Sequence, residues 1–158
     1  MQKQKGFSLI ELLIVVAIIL IIAAIAIPNL LRARIAANEA SAVGSMRAIN
    51  TAEVSYSTLY PAVGYSPDMN SLAGSSCAAP TSGAACLIDT TLAGATTSAT
   101  GKSGYYFTYG TSSTLGYTIT GTPASVGSTG VKQFYTDGTA VIRYATGAAA
   151  SATSPAIQ

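Results

Sequence analysis

From Leu12 to Ile27 the chain runs for sixteen apolar residues without a charge, and directly before that run stands a single carboxylate, Glu11. At a helical rise the run is about 24 Å long, and counted from Phe7 the segment reaches about 31 Å, the thickness of a bilayer's hydrocarbon core. It is long enough to span a membrane. Lys3 and Lys5 precede it with no acidic residue between them, so the positive-inside bias keeps the short N-terminus cytoplasmic and sends the remainder outward. A secretory signal peptide is the plainer alternative, and Ala24-Ile25-Ala26 offers an A-x-A site for its removal. Two features oppose it. The run exceeds the usual signal core, and a carboxylate carried to mid-bilayer costs about 2.5 to 3.5 kcal/mol, which neither a disposable segment nor a plain anchor has reason to bear. An ionisable group at such a place reads as functional, and it needs a cation.

The residues around Glu11 carry a resemblance. Gly6-Phe7-Ser8-Leu9-Ile10-Glu11 is similar to the processing site of type IV prepilins: a short basic leader ending in Gly, an aromatic first mature residue, Glu at the fifth mature position, then the apolar helix. The match is close over roughly residues 1 to 35, and Pro28 stands where many of the pilin and pseudopilin superfamily carry a helix-interrupting proline. The resemblance implies that a prepilin peptidase cuts between Gly6 and Phe7 and then N-methylates Phe7. A glycine suits that position because backbone without a side chain enters a protease cleft closely. Cleavage creates the missing cation: Glu11 of one subunit can pair with the Phe7 amine of its neighbour as helices bundle in register. An unpaired charge in an apolar bundle is strongly disfavoured, so Glu11 reads as a register device for assembly.

After Pro28 the pattern becomes periodic. Leu31, Ile35, Ala42, Met46, Ile49 and Tyr56 fall within about 80° of one another at 100° per residue, the stripe of an amphipathic helix. One helix from Phe7 to Tyr60 is predicted, with Pro28 kinking it or permitting local unwinding and Gly44 as a second weak point. Glu53 lies near the middle of the stripe. It is read as reaching solvent near the helix end, or else as an intersubunit ion pair with Arg32, Arg34 or Arg47.

The expected organisation is a leader over 1–6, a membrane or filament-core helix over 7–31, an amphipathic half-helix over 32–60, a connecting loop over 61–103, an antiparallel sheet over 104–146 and a flexible surface tail over 147–158. In the connecting region, Asp68 to Ala73 and Cys86 to Ala93 read as single helical turns. Cys77 and Cys86 enclose eight residues on the exported side, where an intrachain disulfide is expected. Strands are predicted over 105–109, 115–120, 131–136 and 139–144 from β-branched and aromatic residues separated by Gly, Ser and Pro. Asp137-Gly138 is a strong signal for a two-residue hairpin; that register would set Lys132 opposite Arg143, a mildly unfavourable like-charge pair, with a bulged turn as the alternative. The fold class is α+β: a long N-terminal helix packed on about four antiparallel strands.

The composition argues against catalysis. The chain has no His, and its six carboxylates, Glu11, Glu39, Glu53, Asp68, Asp89 and Asp137, show no acid–base spacing. No cofactor or metal is expected; Asp89 reads as a helix or turn residue, since calcium sites need several oxygen ligands. With Lys3 and Lys5 removed, the mature side chains balance at six cations and six anions, a neutrality suited to packing against copies of itself. No basic patch for nucleic acid stands out. Tyrosines are read as strand packing, with sugar or base stacking by Tyr105 or Tyr106 as the alternative. The reading is therefore a structural subunit of a type IV pilus filament, stored in the inner membrane and then built into an extracellular homopolymer for surface attachment or motility. Prepilin peptidase and a platform with its ATPase are the partners that the resemblance implies. The alternatives are a type II secretion pseudopilin, a minor or competence pilin engaged in DNA uptake, and a monomeric anchored binding domain that keeps residues 1–6.

Overall fold

A computed structural model describes residues 6–74, 77–113 and 116–157. Leader residues 1–5, Leu115 of the second expected strand and Gln158 of the tail lie outside that set. The chain divides into two compact units, Met1–Arg34 and Ile35–Gln158.

Helix α1, Leu9–Leu59, runs through both units, in agreement with the single long helix expected. It continues across Pro28 without a break, although the ring removes one backbone donor. From Leu12 to Ile27 the helix is apolar all round, and the large apolar side chains of the first unit are exposed, from Phe7 at 93% to Leu31 at 43%. No face is preferred there, as a segment surrounded by lipid or by other helices requires.

In the second unit one stripe of α1 is buried. Ala42, Met46, Ile49, Ala52 and Tyr56 join the core with Phe107, Tyr117, Ile119 and Phe134 of the sheet. Leu31 and Ile35, at the head of the predicted stripe, stay exposed and half-buried. Two single helical turns follow, α2 (Met69–Leu72) and α3 (Thr90–Ala93), each at one of the expected clusters. Asp68 and Asp89 start them: the Asp68 carboxylate accepts from the Ser71 N–H at 2.8 Å and the Asp89 carboxylate from the Leu92 N–H at 3.2 Å, satisfying backbone donors that a helix start leaves open.

The Cys77–Cys86 disulfide closes the loop before α3. Tyr56 of α1 donates its hydroxyl to the Ser82 carbonyl inside that loop at 2.6 Å, so the staple is tied to the core helix. Reduction, or replacement of both cysteines by serine, is expected to lower the unfolding free energy by about 2 to 3 kcal/mol, from the chain entropy released by so short a loop. Chemical denaturation of the oxidised and reduced chain measures it.

Strands β1 (Tyr105–Ser113), β2 (Gly116–Pro123), β3 (Lys132–Asp137) and β4 (Arg143–Thr146) form an antiparallel sheet in sequence order. The α+β class and the strand number follow the sequence reading; the last register does not. Lys132 faces Thr146, and Arg143 faces Tyr135. A loop over 138–142 replaces the two-residue turn, with Ala140 at a positive φ of 58°. The reason is burial. The longer loop lets Ile142 reach the core and separates the two cations that the tight turn would oppose.

Gly121 of β2 lies under the buried stripe of α1: a Cβ there would lie 3.4 Å from Met46 Sδ and 3.3 Å from the Phe107 ring. A side chain there would require the Phe107 ring and the Met46 side chain to give by a few tenths of an ångström. The segment read as a flexible tail is fastened to the sheet edge. Tyr144 N–H donates to Pro155 O at 3.0 Å, Ile157 N–H to Ile142 O at 2.9 Å, and the Arg143 guanidinium to Ser154 O at 3.0 Å. Ala156 thereby bridges to Arg143 as a short fifth strand position, covering an edge that would otherwise be open.

Candidate processing and assembly site

Helix α1 begins at Leu9, so Gly6 and Phe7 lie in irregular backbone before it. Both are exposed, and a Cβ on Gly6 would meet nothing within 4 Å. The Gly6–Phe7 peptide is thus free of the helical hydrogen-bond ladder, and an extended stretch can be drawn into a protease cleft without unwinding a turn.

Ser8 and Glu11 start the helix. The Glu11 carboxylate turns back and accepts from the Ser8 N–H at 2.8 Å, while Ser8 O accepts the first helical bond from Leu12 N–H at 3.3 Å. Ser8 stands at the cap position and Glu11 three residues on, the carboxylate half of a capping box, and its charge also favours the positive end of the helix dipole. This capping role lies outside the register role expected of Glu11, although Ser-x-x-Glu before an apolar run is its recognisable signal. In the single chain, then, Glu11 has a local partner that costs little to give up: one exposed hydrogen bond to its own backbone.

Glu53 has neither of the roles expected of it. It is fully buried, and its carboxylate accepts from Ser66 N–H at 3.0 Å, from Ser66 Oγ at 2.8 Å and from the Tyr109 hydroxyl. Ser112 Oγ donates to Ser66 O at 2.5 Å, which ties β1 to the same point. Burial raises the Glu53 pKa above its ordinary value, and the Tyr109 and Ser66 bonds oppose that rise only in part. Tyr109 is driven upward in turn, by burial and by the carboxylate it faces. This knot joins α1, the chain after it and β1. Its donors are a backbone N–H and two hydroxyls brought from residues 66 and 109, separations that no local pattern reports.

Glu39 holds the other end of the half-helix. It is nearly buried, accepts from the N–H groups of Val131 and Lys132 at 3.1 and 3.2 Å, and pairs with Lys132 Nζ at 3.1 Å. Between the two glutamates, Asn50 joins Thr136 at 3.0 Å and accepts from the Tyr117 hydroxyl at 3.0 Å. Polar groups on the buried stripe of α1 thus index the helix against the sheet at three levels.

An open groove of about 650 Å³ runs beside α1, lined by Ala36, Ala40, Val43, Phe134, Tyr144 and Ile157, with the Glu39–Lys132 pair in its wall. Tyr105 is fully buried and donates to Lys132 O at 2.8 Å, so its ring cannot stack on a surface sugar or base; Tyr106 is half-exposed. Among the described residues no group of His, Cys, Asp and Glu is arranged to hold a metal ion.

Residues 1–27 match the prokaryotic N-terminal methylation motif. The chain is 67% identical over 39 residues to the type IV wide pilus major component PilA4 of Thermus thermophilus, a stretch that covers 25% of this chain and 30% of that protein. It is 40% identical over 73 residues to the type IV major pilin protein PilA of Myxococcus xanthus, covering 42% and 33%. The chain therefore spans about a third of the length of the curated relatives it matches. No solved structure matches it.

Proposed function

We propose that this chain, whose first 27 residues carry the prokaryotic N-terminal methylation motif, is a structural subunit of a type IV pilus: cleaved after Gly6, methylated on Phe7 and assembled into a filament through the helix that follows. One observation carries the reading. An exposed Gly6–Phe7 peptide outside the helix stands beside a carboxylate, Glu11, that is held only by its own backbone, at the head of a helix whose apolar surface is open on every side.

Each part has a physical consequence. Before cleavage the apolar half of α1 is solvated by the inner membrane, with residues 35–158 on the exported side. After cleavage the Phe7 amine supplies the cation that Glu11 lacks. Exchanging lipid for other copies of the same helix then keeps every apolar side chain covered. A heterologous contact of this kind, repeated without closing into a ring, generates an open helical filament. The peptidase, platform and ATPase are partners in this scheme, and the names of the two relatives favour a major subunit over a pseudopilin or minor pilin.

Mass spectrometry of the chain isolated from sheared cell surfaces tests the proposal. The expected product begins with N-methylated Phe7 and is recovered in filaments long enough to shear. A chain that retains residues 1–6 would instead be a membrane-anchored domain, and processed chain confined to short periplasmic fibres would be a pseudopilin.

A further inference from the structure

Among the described residues each of the six side-chain carboxylates has an internal partner, whereas three arginines have none. Glu39 pairs with Lys132 and Asp89 with Lys102; Glu11, Glu53, Asp68 and Asp137 accept from the backbone N–H groups of Ser8, Ser66, Ser71 and Thr139. Among the described residues Arg32, Arg34 and Arg47 make no hydrogen bond or ion pair, and all three are exposed on α1. Their counter-ion must come from outside the chain.

For Arg32 and Arg34 the geometry narrows what that counter-ion is. Two residues apart on a helix, they leave it about 200° apart, on opposite sides. A single protein partner would meet one side, whereas a lipid leaflet surrounds the helix. Their level also fits. Arg32 and Arg34 stand five and seven residues beyond Ile27, about 7.5 and 10.5 Å along the axis. The headgroup layer on each side of a bilayer is about 5 to 8 Å thick. Side chains on an α-helix tilt toward its N-terminus, which here is the membrane side, so both guanidiniums are aimed back into that layer. The planar fork of arginine grips a phosphate through two parallel hydrogen bonds, as the point charge of lysine does not.

We propose that Arg32 and Arg34 form a collar that binds the phosphates of lipid headgroups in the exported leaflet and fixes the depth of α1 before assembly. The proposal rests on the reading above, in which the apolar half of α1 spans the membrane. The collar offsets what the positive-inside bias would otherwise charge against two arginines on the exported side. It also sets the height at which Phe7 and Glu11 are presented at the opposite face.

The test uses the full uncleaved chain with carbon-13-labelled arginine, reconstituted without phosphate buffer in vesicles of phosphatidylcholine with about one-third phosphatidylglycerol. Solid-state NMR reads dephasing of each guanidinium carbon by lipid phosphorus, assigned through Arg32→Lys, Arg34→Lys and Arg47→Lys, and carbonate extraction of the same vesicles reports whether the chain spans. Retention in carbonate with strong dephasing of the Arg32 and Arg34 signals, and little at Arg47, supports the collar. Retention with no dephasing at Arg32 and Arg34, or with equal dephasing at all arginines, overturns it and leaves the membrane reading standing. Loss of the chain to carbonate overturns both.

Discussion

A Glu11→Gln chain should be cleaved and methylated like the wild type, yet its recovery in sheared filaments should fall by about a hundredfold. Glutamine keeps an oxygen that can accept the Ser8 N–H, so the start of α1 survives the change. What it loses is charge. In the proposed filament the Phe7 amine would then lie in an apolar bundle with no anion, and leaving one partner of a buried pair alone costs far more than the pair was worth. Glu11→Ala should fail equally in assembly and in addition fray the first helical turn. Quantitative mass spectrometry of sheared and membrane fractions from the two variants separates the roles. If glutamine restores wild-type fibre yield while alanine does not, capping is what assembly needs and the charge pair is wrong.

The largest effect on folding is expected at Glu53. Glu53→Ala leaves the Ser66 N–H and the Tyr109 hydroxyl buried without an acceptor and opens a void beside them, and should destabilise the chain by about 3 kcal/mol. Glu53→Gln retains one acceptor oxygen and should lose about 1 kcal/mol at neutral pH. The pH dependence has a definite sign. Because burial raises the folded-state pKa above 4.5, the folded chain takes up the proton more readily than the unfolded one. The stability contributed by this group is complete below about pH 4.5 and is lost as pH rises through the raised value. Urea midpoints across pH for wild type and Glu53→Gln, in detergent, should therefore show the wild type losing ground relative to the variant above pH 4.5. A difference that grows with pH would mean that the three donors outweigh burial.

Glu11 and Glu53 differ in how far the sequence exposes their roles. Around Glu11 the signals are local: the glycine, the aromatic, the Ser-x-x-Glu cap and the uncharged run are consecutive in the chain. Even the capping bond, which the motif reading overlooked, is encoded in four adjacent residues. Glu53 is the opposite case. Its place on the apolar stripe was visible, but its partners come from residues 66 and 109, so its exposure was misread. The two-residue turn signalled at Asp137-Gly138 gives way to a longer loop for a related reason. A two-residue turn satisfies local turn chemistry, whereas the longer loop wins because it buries Ile142 and separates Lys132 from Arg143. The C-terminal segment lacks any periodic pattern because it is held by its backbone against β4, and backbone bonding leaves no mark on side-chain sequence.

By itself, then, the sequence determined the long helix, its division into an all-round apolar half and a striped half, the four strands, the half-cystine pair and the N-terminal methylation motif. All of these depend on composition and spacing along a single element, where hydrophobic periodicity and local capping dominate the energy. Only the tertiary structure decided the register of the last hairpin, the fastening of the C-terminal segment and the partners of Glu39 and Glu53. Those depend on which distant donors and acceptors meet in a low-dielectric interior, where an unpaired group is costly and pairing is set by packing rather than by sequence proximity.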